Sequence, residues 1–347
     1  MKVAIISYEA HKLGGVGRYT YELAKSVEGK VFGKVGEGID YKIHSPGGID
    51  LVSKNLFPFW ACKVIKKSNW DIIHSQGASY FIPDVVTGLT SQKKMIELVE
   101  KGELFLEMKS WQKEYWKIRL KIAYVLEKFT YFHAQKIIAI SKLVKEEIKK
   151  DYKIKDEKIE VIYPGVNLEE FHPSKTLRER VRSQLNVGGI VLLFVGSQWG
   201  RKGLKYLLQA IKDENYTLLV IGEEEKIEKV PPNVKFLGMR SNLVNYYNAS
   251  DILVAPSLFD AFNLSVLEGL ACGIPAVVSK YAGASEIVGK GGVILENPKD
   301  WKEIKEKIHI VKNNLEKMKK EAQKEAVKYD WKIIGEEIKK IYQEIKN

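Results

Sequence analysis

The chain has 347 residues, 45% of them hydrophobic and 29% charged, with a formal net charge of +12. That length exceeds one ordinary core and predicts two domains, and no run of about 18 uncharged apolar residues offers a membrane-spanning helix. Two cysteines, Cys62 and Cys272, make neither a disulfide framework nor a metal cluster and fit free thiols in a reducing cytoplasm, while the positive charge favours an anionic partner.

The opening MKVAIISYEA lacks a small-residue cleavage site and reads as a first strand, not a signal peptide. It feeds HKLGGVGRYTYELAKSV, where Gly14, Gly15 and Gly17 let the backbone approach a ligand and a helix starting near Arg18 presents its amide end. Thr20 stands where a dinucleotide fingerprint has a third Gly or Ala, and the second strand, near YKIHS, ends without a ribose-binding carboxylate. A nicotinamide enzyme is therefore disfavoured, and a tight turn with no ligand stays open. DIIHSQG brings His74 to a strand end, as a packing residue or a site residue. PDVVTG is a further strand. Residues 91–133 read as one long helical region in which Trp111, Tyr115, Ile118, Ile122 and Val125 form an apolar stripe. Lys109, Lys113, Lys117 and Lys121 fall on a neighbouring face. The pattern suits a basic amphipathic helix on an anionic membrane surface, or equally a helix packed on its own domain. KIIAIS, KLVKEEIKK and KIEVIYPGV close the first half, and Pro164-Gly165 with NLEEFHPSKT places a boundary close to residue 166.

The second half restarts with the strand IVLLFVGS, the basic turn QWGRKG and the helix LKYLLQAIKD. YTLLVIG and VKFLG are strands, and SNLVNYYNAS is a short helix. Arg201 and Lys202, adjacent between a strand end and a helix start, suit a diphosphate. With no Asp-x-Asp pair in the chain, the two cations are expected to replace a divalent metal, and no cofactor is expected. From Asp251 to Ser279 a strand, a loop, a helix from Asn263 to Cys272 and a second strand make a βαβ unit, whose ligands belong beyond the first strand's carboxyl end. Asp260 sits in that loop, amides around Asn263 to Ser265 favour a phosphate, and Glu268 lies along the helix. An acidic pair beside such a helix start suits a sugar nucleotide; a turn-forming Asp with a solvated Glu is the plain alternative. The chain closes on the amphipathic helix YDWKIIGEEIKKIYQEIKN. Strand and helix alternate throughout, which predicts two parallel-sheet α/β domains facing across a cleft.

On these motifs the chain resembles the GT-B glycosyltransferases of the family 4 type, nearly end to end. GGVGRYTYELA is similar to the family's glycine-rich loop, FVGSQWGRKGLKYLLQA to its diphosphate loop, and DAFNLSVLE to its two-glutamate motif. The VGSxxxRKG form matches the subset that includes lipopolysaccharide core glucosyltransferases. The resemblance implies two Rossmann-like domains, an acceptor domain at 1–165 and a donor domain at 166–328, with a closing helix at 329–347 packed back on the first. It implies that Glu268 holds the ribose, Arg201 and Lys202 the diphosphate, and Asp260 the sugar. The backbone of Phe262, Asn263, Leu264 and Ser265 would meet the distal phosphate, and Met239 and Arg240 the base. Gly14, Gly15, Gly196 and Ser197 would line the donor site, and His74 and Arg18 are candidates for acceptor or sugar contacts. The implied activity is retaining, metal-independent transfer from a UDP- or GDP-linked sugar to a hydroxyl of a glycan or lipid-linked acceptor. A cytoplasmic protein, peripheral on the membrane's inner face and with no nucleic-acid partner, is expected. The family's first acidic residue is usually Glu where Asp260 stands, and Gly88 or Leu89 occupies the place of a common His. A sugar-nucleotide epimerase or hydrolase, or a non-catalytic sugar-nucleotide-binding subunit, are the alternatives on the same fold.

Overall fold

The computed structural model describes residues 1–12, 14–45, 50–223, 225–227 and 230–347, with the backbone alone for 50–52. The chain forms two compact units, one of Met1–Glu100, Ser110–Gly165 and Trp331–Asn347, the other of Lys101–Lys109 and Val166–Asp330. Residues 101–109, expected in the first domain, thus fold with the second.

The first unit is built on seven strands: β1 (Val3–Ile6), β2 (Lys30–Gly33), β3 (Tyr41–Lys42), β4 (Ile72–Gln76), β5 (Val85–Gly88), β6 (Lys136–Ala139) and β7 (Ile159–Val161). They lie in the order β3-β2-β1-β4-β5-β6-β7, every pair parallel. Runs such as Val3–Ile6 and Val85–Gly88 are buried along their whole length, as strands covered on both faces must be. Its helices are α1 (Gly15–Ser26), α2 (Asp50–Val64), α3 (Gln92–Glu100), α4 (Ser110–His133) and α5 (Lys142–Tyr152). The second strand is therefore Lys30–Gly33, and the expected strand near YKIHS is the two-residue β3 at the sheet edge. The single helical region expected over 91–133 is two helices: beyond α3, Gly102 takes φ 69°, which breaks the helical run.

The second unit holds β8 (Ile190–Val195), β9 (Tyr216–Ile221), β10 (Val234–Phe236), β11 (Ile252–Ala255), β12 (Ala276–Ser279) and β13 (Gly292–Leu295), in the parallel order β10-β9-β8-β11-β12-β13. Around it run α6 (Lys175–Leu185), α7 (Trp199–Lys202), α8 (Leu204–Ala210), α9 (Leu243–Ala249), α10 (Leu264–Ala271), α11 (Trp301–Asn313) and α12 (Leu315–Ala326). The expected basic turn is thus a one-turn helix, α7. The last helix, α13 (Trp331–Lys346), lies in the first unit, where the Trp331 ring meets Tyr19 edge-on at 5.3 Å. Both units are α/β with one parallel sheet. In each, strand order reverses beside the first strand, between β1 and β4 and between β8 and β11, and ligands of such sheets bind beyond the carboxyl ends at that point.

Candidate functional site

In the second unit the loops that leave β8 and β11 are pressed together. Gly203, at φ 77°, admits no side chain, because a Cβ there would stand 2.1 Å from the Pro256 carbonyl oxygen. Between β8 and Gly203 come Gly196, Ser197, Gln198 and α7. Trp199 anchors this turn, 1% exposed, with its indole N–H donating to the Gly196 carbonyl at 2.9 Å.

The charges of the turn meet Asp260 from the other loop. Lys202 Nζ is 2.6 Å and Arg201 Nη1 3.4 Å from Asp260 Oδ2. Arg201 also donates to the Phe259 carbonyl at 2.9 Å and to Gln198 Oε1 at 2.8 Å. Among the described residues the Lys202 ammonium meets Asp260 alone, so two of its three donors remain for a ligand. Burial pulls the Lys202 ammonium below its usual pKa, against the pull of Asp260. Burial works to raise Asp260, but Lys202 and Arg201 outweigh it and hold the carboxyl below its usual range. The cluster is therefore an ion triad with net positive charge.

Beside it, α10 begins at Asn263, which sits at φ 78° and spends its side-chain oxygen on the Ser265 hydroxyl at 2.7 Å. No side chain at that cap bonds the first helical amides, so the helix start keeps donors for an anion. The Phe262 amide bonds the Asp260 carboxylate. Glu268 is buried one turn on, and its Oε2 accepts from the Tyr247 hydroxyl at 2.7 Å. Met239 and Arg240 are exposed after β10, with Arg240 Nη1 donating to the Met239 carbonyl at 3.1 Å and Nε to the Tyr246 hydroxyl at 3.0 Å.

The second sheet's edge thus gathers Gly196, Ser197, Arg201, Lys202, Asp260, Phe262, Asn263, Leu264 and Ser265 on the two loops beside its switch point. Gly14, Gly15, Arg18 and His74 belong to the first unit. There Gly14 turns at φ 77° into α1, and a Cβ on Gly15 would meet nothing within 4 Å. Arg18 is buried with Nε donating to the Lys12 carbonyl at 2.8 Å. His74 is a packing residue, which corrects its candidacy as a substrate contact. It is fully buried, Nδ1 pairs with the Tyr342 hydroxyl at 2.6 Å and Nε2 with Thr87 Oγ1 at 2.7 Å, and burial lowers its pKa to about 3.

Two groups escape sequence reasoning. Tyr247, in an otherwise ordinary short helix, orients Glu268. Gln76, at the carboxyl end of β4 beside the first switch point, is 3% exposed, and among the described residues neither Oε1 nor Nε2 has a hydrogen-bond partner. Its place in DIIHSQG at a strand's ligand end was the available signal.

A family model described as Glycosyltransferase Family 4 matches residues 42–170, and one described as Glycosyl transferases group 1 matches 175–328. The N,N'-diacetylbacillosaminyl-diphospho-undecaprenol alpha-1,3-N-acetylgalactosaminyltransferase of Campylobacter jejuni is 32% identical over 55% of this chain and 56% of its own. Matched stretches cover 48% to 70% of the length of such curated relatives. Among solved structures, WaaG, a glycosyltransferase involved in lipopolysaccharide biosynthesis, superposes with a TM-score of 0.78 at 18% identity over 97% of this chain and 98% of its own. HepE of Anabaena, solved with UDP-glucose, gives 0.77 at 18% identity over 99% and 100%. Likeness at that identity is likeness of fold. With one family model on each half and this fold along its whole length, the chain joins a Glycosyltransferase Family 4 domain to a Glycosyl transferases group 1 domain on a GT-B fold.

Proposed function

We propose that this chain is a retaining glycosyltransferase that moves a sugar from a UDP- or GDP-linked donor to an acceptor hydroxyl without a divalent metal. The observation that carries this reading is the Arg201, Lys202 and Asp260 triad beside the open amides of α10, at the switch point of the second sheet. Two cations and a helix start neutralise a diphosphate both on binding and as it gains charge in leaving. The bond from the sugar's anomeric carbon to the diphosphate oxygen breaks, and the acceptor oxygen bonds that carbon on the same face. The acceptor proton passes to the departing diphosphate, so no enzyme nucleophile is needed. Glu268, whose Oε2 accepts from the Tyr247 hydroxyl, takes the ribose hydroxyls, and the backbone of Met239 and Arg240 meets the base. Asp260 holds both cations here, so its role extends beyond a sugar contact. The test is a screen of labelled UDP and GDP sugars against glycan and lipid-linked acceptors, in EDTA and in Mg²⁺. Transfer that persists in EDTA with retained anomeric configuration supports the reading. Activity lost in EDTA and restored by Mg²⁺ overturns the metal-independent part, and isomerisation without transfer overturns the whole.

A membrane-surface acceptor is the second part of the reading, and the observation that favours it is α4. Trp111 is 66% and Val125 64% exposed, and Ile118, Ile122, Phe129 and Phe132 share that bare face at helical spacing. A helix packed only on its own domain would bury this stripe. The lysine row is less regular than its spacing suggests. Lys109 precedes the helix and folds with the second unit, Lys113 and Lys117 are half-buried with Lys117 paired to Glu114 at 2.8 Å, and Lys121 is exposed. Anchoring therefore falls mainly on aromatic and aliphatic insertion, which suits the interface plane. Co-sedimentation with anionic vesicles decides it: a protein left in the supernatant at low salt points to an acceptor in solution.

A further inference from the structure

The residues between α3 and α4 reach the donor loop. The Leu104 carbonyl accepts from the Arg201 amide at 3.1 Å. The Leu106 amide donates to Glu225 Oε2 at 2.7 Å, and Oε1 of the same carboxylate accepts from the Trp199 amide. Leu104 is fully buried, Leu106 packs on the second unit's core, and Glu103 pairs with Lys299. The fit at Gly200 is close enough to forbid a side chain, since a Cβ there would stand 2.3 Å from the Phe105 carbonyl oxygen.

These bonds fall where α7 is weakest. A helix of one turn has almost no stability of its own, and its first amides have no partner within the helix. Here the Trp199 amide goes to Glu225 and the Arg201 amide to Leu104, so two of its amides are held from outside the turn. Its own sequence, Trp-Gly-Arg-Lys, supplies neither bond.

We propose that Glu103–Leu106, together with Glu225, is a positioning strap that holds α7 so that Arg201 and Lys202 present their charges to a diphosphate. The strap touches no ligand; it acts through the backbone of the turn. This inference rests on the sugar-nucleotide reading and deepens it, naming what sets the phosphate-binding geometry.

The experiment uses the full chain and four ligands, UDP and GDP with uridine and guanosine, so that the phosphate-dependent part of binding is read as a ratio of Kd values. In Glu225→Gln, one amide loses its acceptor, and the ratio of nucleoside to nucleotide Kd falls about tenfold while the nucleoside Kd holds. Replacing Leu104, Phe105 and Leu106 by Gly, Ser and Gly lowers it at least as far. In a background of Arg201→Ala with Lys202→Ala, neither change has a further effect, because the charges the strap positions are gone. Hydrogen exchange at the Arg201 amide speeds in the strap variant. An unchanged ratio in Glu225→Gln, or nucleoside and nucleotide weakened alike, overturns the strap while leaving the sugar-nucleotide reading intact. Should the triple replacement fail to fold, Glu225→Gln decides alone. A wild-type protein that binds neither nucleotide overturns the reading and the strap together.

Discussion

Strand β11 has a carboxylate held by two cations at each end, and the two clusters differ in what they leave unused. At the amino end Asp251 takes Arg178 Nη2 at 2.6 Å and Arg182 Nη1 at 3.2 Å, and its Oδ2 also accepts the Val191 amide at 2.9 Å. The guanidinium groups spend further donors on the carbonyls of Asn248, Ser250, Ala249 and Gly189. Every partner is the chain itself. At the carboxyl end Asp260 holds Arg201 and Lys202, but the Lys202 ammonium has no other protein partner among the described residues and an open helix start stands alongside. Both clusters combine the same charges, but the first is tied into four backbone carbonyls of its own unit, whereas the second stands beside a helix start whose first amides are uncapped. A cluster tied into the backbone around it serves the fold, and in the reading proposed above the one at the sheet's ligand edge serves the donor.

The comparison breaks most visibly at its closed member. Asp251→Ala strands two half-buried guanidinium groups and is expected to cost about 3–5 kcal/mol of stability, read from denaturant midpoints, with transfer per folded molecule unchanged. Removing the second cluster whole, as Arg201→Ala with Lys202→Ala and Asp260→Ala so that no carboxylate is left stranded, is the opposite case: about 3–4 kcal/mol is lost from kcat/KM, while the melting temperature stays near that of the parent. A large stability loss there would erase the distinction. Glu268→Gln keeps its shape and the Tyr247 contact but gives up the charge, and donor binding is expected to weaken by about 1.5–3 kcal/mol in calorimetry. Unchanged affinity would return Glu268 to a purely structural role.

A pH test sharpens the contrast with a carboxylate that has no cation partner among the described residues. Glu127 of α4 is buried against the Tyr152 hydroxyl, and burial raises its pKa from 4.5 to about 7. A carboxyl whose folded pKa is raised binds its proton more tightly when folded. Its stabilisation is then complete below about pH 4.5 and fades as pH rises through about 7. Urea midpoints measured from pH 5 to pH 8 should fall, and Glu127→Gln should flatten that slope.

How far the sequence disclosed these features follows from how local each one is. The basic turn, the DAFNLS loop and most strands are legible because short apolar runs and the residues that end them lie side by side in the chain. The break between α3 and α4 was hidden by good helix formers on both sides of Gly102, and the apolar triplet Leu104 to Leu106 fell inside the single helical region read over 91–133. Asp251's partners lie about seventy residues away, and nothing in Arg178 or Arg182 distinguishes them from solvated helix residues. His74 was ambiguous because its fate depends on Tyr342, at the far end of the chain. Glu225 lies outside any regular element, where spacing carries no signal.

The chain passes from one unit to the other after Glu100, returns after Lys109, crosses again after Gly165 and returns after Asp330. Neither unit is therefore an uninterrupted stretch of gene. A chimera that grafts residues 166–330 of one relative onto the first half of another brings α7 without the segment that seats it. Recombination at the obvious linker would sever Leu104 from the amide it was built against, so an exchange of donor specificity between relatives should carry 101–109 along with the second half.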